Sequence, residues 1–215
     1  EITAYYEVRG MFHGAVTNTD IFILKGQNAL GIEFYVPFHN KSVNNINHYG
    51  KDGWSSIDVV ATEDNTKIEF FYPKHIKTIT KKSILLNKGQ TYSFRALGQE
   101  VSDHLYGARI ISTKPIAVTM KDDSVMDIDN FDQTIPPSDL IGDQLIPTHL
   151  IGKQYIVSDG TVYLLATKDN TKINVEGISY NLLAGEQVTL PIGGDPVFID
   201  ATAPIYVLHI IDKGK

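Results

Sequence analysis

Apolar and polar residues alternate along this chain in short runs, and no helical stripe persists beyond two turns. In residues 56–61, Ile57, Val59 and Ala61 alternate with Ser56 and Asp58, the period of two that sends side chains to opposite faces of a strand. Asp64-Asn65 and Asp169-Asn170 interrupt such runs with residues that tolerate left-handed backbone and bond their own main chain, so each predicts a hairpin turn. Gly89 and Gly185 mark a second turn in each case. The Lys114-Pro115 and Ala203-Pro204 steps put proline at a strand edge or bend, where its missing N–H matters least. Ile57, Val59, Ile68, Val162, Leu164 and Ile173 are expected to be buried and the two Asp-Asn pairs exposed.

The pattern occurs twice, in the same order. Ala61-Thr62-Glu63-Asp64-Asn65-Thr66-Lys67-Ile68 returns as Ala166-Thr167-Lys168-Asp169-Asn170-Thr171-Lys172-Ile173. Upstream, residues 30–36 resemble residues 151–157. Downstream, residues 85–90 resemble 182–186, and residues 111–118 resemble 200–207. The offset is 121 from Val36 to Val157, 105 from Ala61 to Ala166, 96 from Gly89 to Gly185 and 89 from Pro115 to Pro204. The first copy therefore carries insertions of 16, 9 and 7 residues between matched strands, and insertions of this kind become surface loops. The expected division is residues 1–30 as the end of a preceding repeat and connector, 31–120 as repeat 1 with inserted loops, 121–150 as an acidic linker loop, and 151–215 as repeat 2. Six or seven short strands per copy predict an all-β fold of two tandem, repeated β-sandwich-like modules; blades of a β-propeller-like array are the alternative.

Composition narrows the function classes. The chain has 215 residues, 42% of them hydrophobic, and a net charge of −6, which argues against a nucleic-acid partner. It has no cysteine, so disulfides, zinc–thiolate sites and cysteine nucleophiles are excluded. No apolar run approaches the length of a membrane span. The chain opens directly in strand-like sequence, with no signal peptide, and reads as a mature or excised fragment.

Chemical motifs are sparse. There is no His-Glu-x-x-His, no Gly-x-Ser-x-Gly and no Walker loop, so the chain reads as not an enzyme, with a dispersed hydrolase triad as a minor alternative. The histidines His13, His39, His48, His75, His104, His149 and His209 show no ligand spacing; no metal ligand and no cofactor is assigned. His209 lies within a strand and reads as structural. Asp122, Asp123, Asp127, Asp129, Asp132, Asp139 and Asp143 form an acidic stretch lacking the glycine and terminal glutamate of an EF-hand loop, so it reads as a solvated loop. The insertion between Val36 and Ala61 mixes asparagines with His48, Tyr49 and Trp54, the only tryptophan. Amide groups beside flat aromatic faces suit a sugar or protein partner, and His48, Tyr49 and Trp54 are the candidate binding residues. The rival reading puts Trp54 in the core. Asn40-Lys41-Ser42 is a formal glycosylation acceptor. Lys74, His75, Lys77, Lys81 and Lys82 form a basic hairpin, either a secondary contact surface or a guard against edge aggregation.

The Ala-Thr-x-Asp-Asn-Thr hairpin, the Gly89-Gln90-Thr91-Tyr92 step, the segment from Gly107 to Val118 and the linker from Gly142 to Pro147 resemble, in this order, the N-terminal domain family of the IgG Fc-binding protein. The resemblance covers residues 30–210. It implies a secreted or cell-surface module that adheres to a protein or glycan partner and neighbours further repeats of its own polypeptide. The missing cysteines resemble the bacterial branch, whose members look like modules of adhesins from gliding bacteria. A purely structural spacer in a long surface protein is the alternative. No residue set for antibody binding transfers from the family.

Overall fold

The computed structural model describes residues 4–12, 15–44, 52–78, 80–126 and 138–211. Among these the fold is all-β, and no helix exceeds the single 3-10 turn Gly26–Ala29 and its shorter kin. An N-terminal hairpin of β1 (Ala4–Phe12) and β2 (Ala15–Leu24) precedes the first module. That module comprises β3 (Gly31–Val36), β4 (Val43–Asn44), β5 (Ser55–Ala61), β6 (Thr66–Phe71), β7 (Lys81–Leu86), β8 (Thr91–Arg95), the long β9 (Ala108–Met126) and β10 (Ser138–Gln144). The second comprises β11 (Gln154–Val157), β12 (Gly160–Ala166), β13 (Thr171–Val175), β14 (Ile178–Leu182), β15 (Gln187–Ile192), β16 (Val197–Ala201) and β17 (Ile205–Ile210).

The second module is two antiparallel sheets, β11-β16-β13-β14 and β15-β12-β17. Ile173, Val175 and Ile199 of one sheet meet Val162, Leu164 and Ile205 of the other in a shared core. That is a sandwich, not blades around an axis. The first module repeats the pairing with one change. Its β9 does the work of both β16 and β17: its first half pairs β3 and β6, and its second half pairs β5. The register with β3 slips between Ile111 and Ile116, at Pro115, where the second module breaks its strand at Ala203-Pro204. One curled sheet thus wraps the core of Phe34, Ile57, Ile68, Phe70, Phe94, Ile110 and Met120.

The repeated motif has a specific structural content. Asn65 and Asn170 each take a left-handed φ of 56°. Asp64 Oδ1 accepts the Lys88 amide, and Asp169 Oδ1 accepts the Ala184 amide at the same 3.0 Å. The Thr62 and Thr167 hydroxyls donate to the carbonyls of Pro115 and Pro204. Each motif therefore ties three turns together at one pole of its module. Ile57, Val59, Ile68, Val162, Leu164 and Ile173 are fully buried, and the Asp-Asn pairs are exposed.

Part of the stretch read as an acidic linker loop is strand: β9 runs on to Met126, and β10 returns along it from Ser138 to Gln144. Alternation failed to predict this because Asp122 and Asp123 sit in strand positions where apolar residues are the norm.

Candidate functional site

All three insertions of the first module leave from the pole opposite the motif turns. They connect β3 to β5, β6 to β7 and β8 to β9, and they knit into one cap. The Asn44 amide donates to the Gln99 carbonyl at 2.9 Å. The His75 ring stacks on Tyr106 at 4.1 Å, and its Nε2 lies 2.9 Å from the His104 carbonyl.

The first half of the longest insertion also clamps the second module. Gln187 Nε2 donates to the Phe38 carbonyl, the Thr189 hydroxyl donates to Asn40 Oδ1, and the Lys41 ammonium donates to the Thr161 hydroxyl. Asn40, the formal glycosylation acceptor, is engaged there. Beside it, Tyr35, Ile151, Leu165 and Tyr206 form a small core between the modules, and Tyr206 donates to the Ile146 carbonyl at 2.6 Å. Burial raises the Tyr206 phenol far above its usual value.

Of the three candidate binding residues, His48 and Tyr49 lie outside the described residues. Trp54 is half-buried at the head of β5 and takes no part in the core. The Arg95 guanidinium lies 4.0 Å above its ring, a cation–π stack at the surface. The basic hairpin is engaged locally. Lys81 reaches Glu69 at 2.8 Å, Lys82 lies over the Tyr92 ring, and the Lys77 ammonium donates to the Lys74 carbonyl. His209 sits on β17 with Nε2 2.9 Å from the Asp159 carbonyl, a structural contact as the sequence suggests. Of the acidic stretch, Asp127, Asp129 and Asp132 lie outside the described residues, and Asp143 pairs with Lys25.

The cap has a buried centre that sequence reasoning missed. His39, from the first insertion, and His104, from the third, converge on Asp122 of β9; their exposures are 2%, 0% and 0%. His39 Nε2 stands 2.7 Å from Asp122 Oδ2, within ion-pair distance but off the direction of a hydrogen bond, so neither atom has a well-aimed partner. His104 Nδ1 is 3.4 Å from the same oxygen and 3.1 Å from the His39 carbonyl. The two rings meet edge to face at 4.6 Å. Asn44 donates to Asp122 Oδ1 at 2.5 Å and to the Asp123 carbonyl at 2.7 Å. Burial pushes the His104 imidazole below its usual value, and the Asp122 charge offsets part of that. The residues are 65 apart from His39 to His104 and 18 from His104 to Asp122. No short motif covers such spacing; a signal was available only in the coincidence of histidines in two insertions that the second copy lacks.

A model of the family described as IgGFc binding protein matches residues 20–215. No curated protein and no solved structure matches the chain.

Proposed function

The chain belongs to the IgGFc binding protein family, and from that membership we propose that it is a non-enzymatic adhesion module of a secreted or cell-surface protein, binding a protein or glycan partner at the cap pole of its first module. Its contact surface centres on Trp54 and the adjoining segment that carries His48 and Tyr49. The observation that supports this reading is the placement of Trp54. A large ring left partly exposed outside the core, under a guanidinium, offers contact area already ordered before a partner arrives. Copy two has no counterpart of this loop, so recognition is assigned to copy one.

The described residues contain no helix long and apolar enough to cross a membrane. The cysteine-free composition supports the bacterial branch of the family. We propose the division into residues 1–30, 31–120, 121–150 and 151–215, amended by the pairing of β10 with the first module.

The test is binding of the immobilised chain and of Trp54→Ala to an IgG Fc fragment and to a mucin preparation, with a thermal melt of both proteins. The expected result is binding by the parent and a loss of at least tenfold in a variant that still melts cooperatively. A folded Trp54→Ala that binds as the parent does removes this surface. A parent that binds neither probe favours the spacer reading.

A further inference from the structure

A carboxylate taken out of water needs a compensating charge, and buried polar atoms need partners. At the centre of the cap the second expectation fails. His39 Nε2, His104 Nε2, Asp122 Oδ2 and Asn44 Oδ1 are all buried with no hydrogen-bond partner, and so are the hydroxyls of Ser55 and Ser56 next to them in the ladder. Orphans scattered through a protein mean little. The first four gather around one carboxylate, where two of the three insertions of copy one meet the second half of β9.

The donor set is that of a borderline-soft divalent ion. Two imidazoles and one carboxylate are ligands that zinc takes, whereas calcium and magnesium prefer oxygen alone. One ligand atom from each residue falls within a span of 4.8 Å. A tetrahedral zinc with bonds of about 2.1 Å holds neighbouring ligand atoms about 3.4 Å apart. The observed separations of 2.7 and 3.4 Å around Asp122 Oδ2 need only a small opening to accept it. The surrounding contacts are those that orient ligands. Asn44 pins Asp122 Oδ1 and leaves Oδ2 to face the histidines; His104 Nδ1, which lies 3.1 Å from the His39 carbonyl, gives up that contact on ligating and carries the ring proton on Nε2.

Comparison within the chain sharpens the point. Ser55 pairs with Asp122 in the first module; by the repeat offsets, the same positions in the second are Gly160 and Ile211. In the second copy the position of Asp122 is held by Ile211, and the insertions that carry His39 and His104 have no counterpart. The two histidines belong to the insertions, and Asp122 to the strand they meet.

We propose that His39, His104 and Asp122 form a structural site for a divalent transition-metal ion of the zinc class, which fastens the inserted loops of the first module to the end of β9. The site is closed to substrate, since none of the three side chains reaches the surface, so the ion's role is to hold the cap. It joins the segment before β4, the turn before β9 and β9 itself. The inference rests on the buried cluster alone and stands whether or not Trp54 contacts a partner.

The experiment is to strip the full chain with a chelator and titrate Zn2+ by calorimetry, following the melt in parallel. One ion per chain is expected, with a melting temperature that rises with Zn2+ because the ion binds the folded state selectively. X-ray absorption of the zinc-loaded wild type should show two imidazole nitrogens and a carboxylate oxygen, a readout that needs no variant. Asp122→Asn and His104→Gln should each weaken binding by on the order of 100-fold and lose the stabilisation, while His149→Gln, an exposed histidine on the 3-10 turn Thr148–Leu150 at the other pole, keeps both. Absence of Zn2+ binding by the wild type would overturn the proposal and leave a buried His39–Asp122 ion pair. Binding that survives undiminished in Asp122→Asn, or an absorption spectrum with no imidazole, would overturn it equally.

Discussion

At the scale of single residues, the left-handed asparagines and the lone tryptophan give the sharpest expectations. Asn65 and Asn170 hold a φ of 56°, where a β-branched side chain collides with its own backbone. Asn170→Val is expected to cost about 1–2 kcal/mol in a denaturant melt, and Asn170→Gly to stay close to the parent. Equal stability of the two variants would contradict the turn geometry. Trp54 has a half-buried ring and one cation–π partner, so Trp54→Ala should cost about 1 kcal/mol. A core tryptophan would cost about 3–5 kcal/mol. The melt therefore decides between the two readings of this residue separately from any binding assay.

At the scale of elements, β9 and β7 show how a shared template is modified. β9 stays continuous where the second module breaks into β16 and β17, and its extension to Met126 gives β10 and β4 a strand to pair with. The price is two aspartates in strand positions, one of them drawn into the buried cluster. β7 ends its sheet, leaving backbone groups open to another chain. Lys81 and Lys82 sit on that edge, both exposed and each tethered to a neighbour, by Glu69 and by Tyr92. Replacing both with isoleucine is expected to leave the melting temperature within a few degrees of the parent but to raise the aggregated fraction in light scattering on storage. An unchanged scattering profile would show that the edge needs no guard.

At the scale of the whole molecule, the two modules meet through backbone as well as side chains. Gly107, at a φ of +84°, lies so close to Gly185 that an added Cβ would stand 2.2 Å from the Gly185 carbonyl oxygen. Gly107→Ala is strained by both conformation and contact, so it should separate the modules or shift them. The expected outcome is a loss of about 1–3 kcal/mol and faster proteolysis of the 145–153 connection. Tyr206→Phe removes the hydroxyl that satisfies the Ile146 carbonyl, at an expected cost of about 1–3 kcal/mol. Parental protease resistance in both variants would mean that the interface does not hold the modules together.

The sequence by itself determined the fold class, the doubling, the turn chemistry and the inward face of each repeated strand. These are local properties: a period of two, an Asp-Asn pair or a glycine acts within a few residues and needs no distant partner to be read. It also marks the insertions as departures from the repeat. It did not show that the first of them clamps the second module through Phe38, Asn40 and Lys41, nor that β9 and β10 extend through the acidic stretch. Nor did it bring His39 and His104 to Asp122. Those outcomes belong to tertiary structure alone, because each depends on where a curled sheet delivers loop ends that are far apart in the chain. A side chain's spacing along the sequence carries no record of which carboxylate will face it once the sheets close.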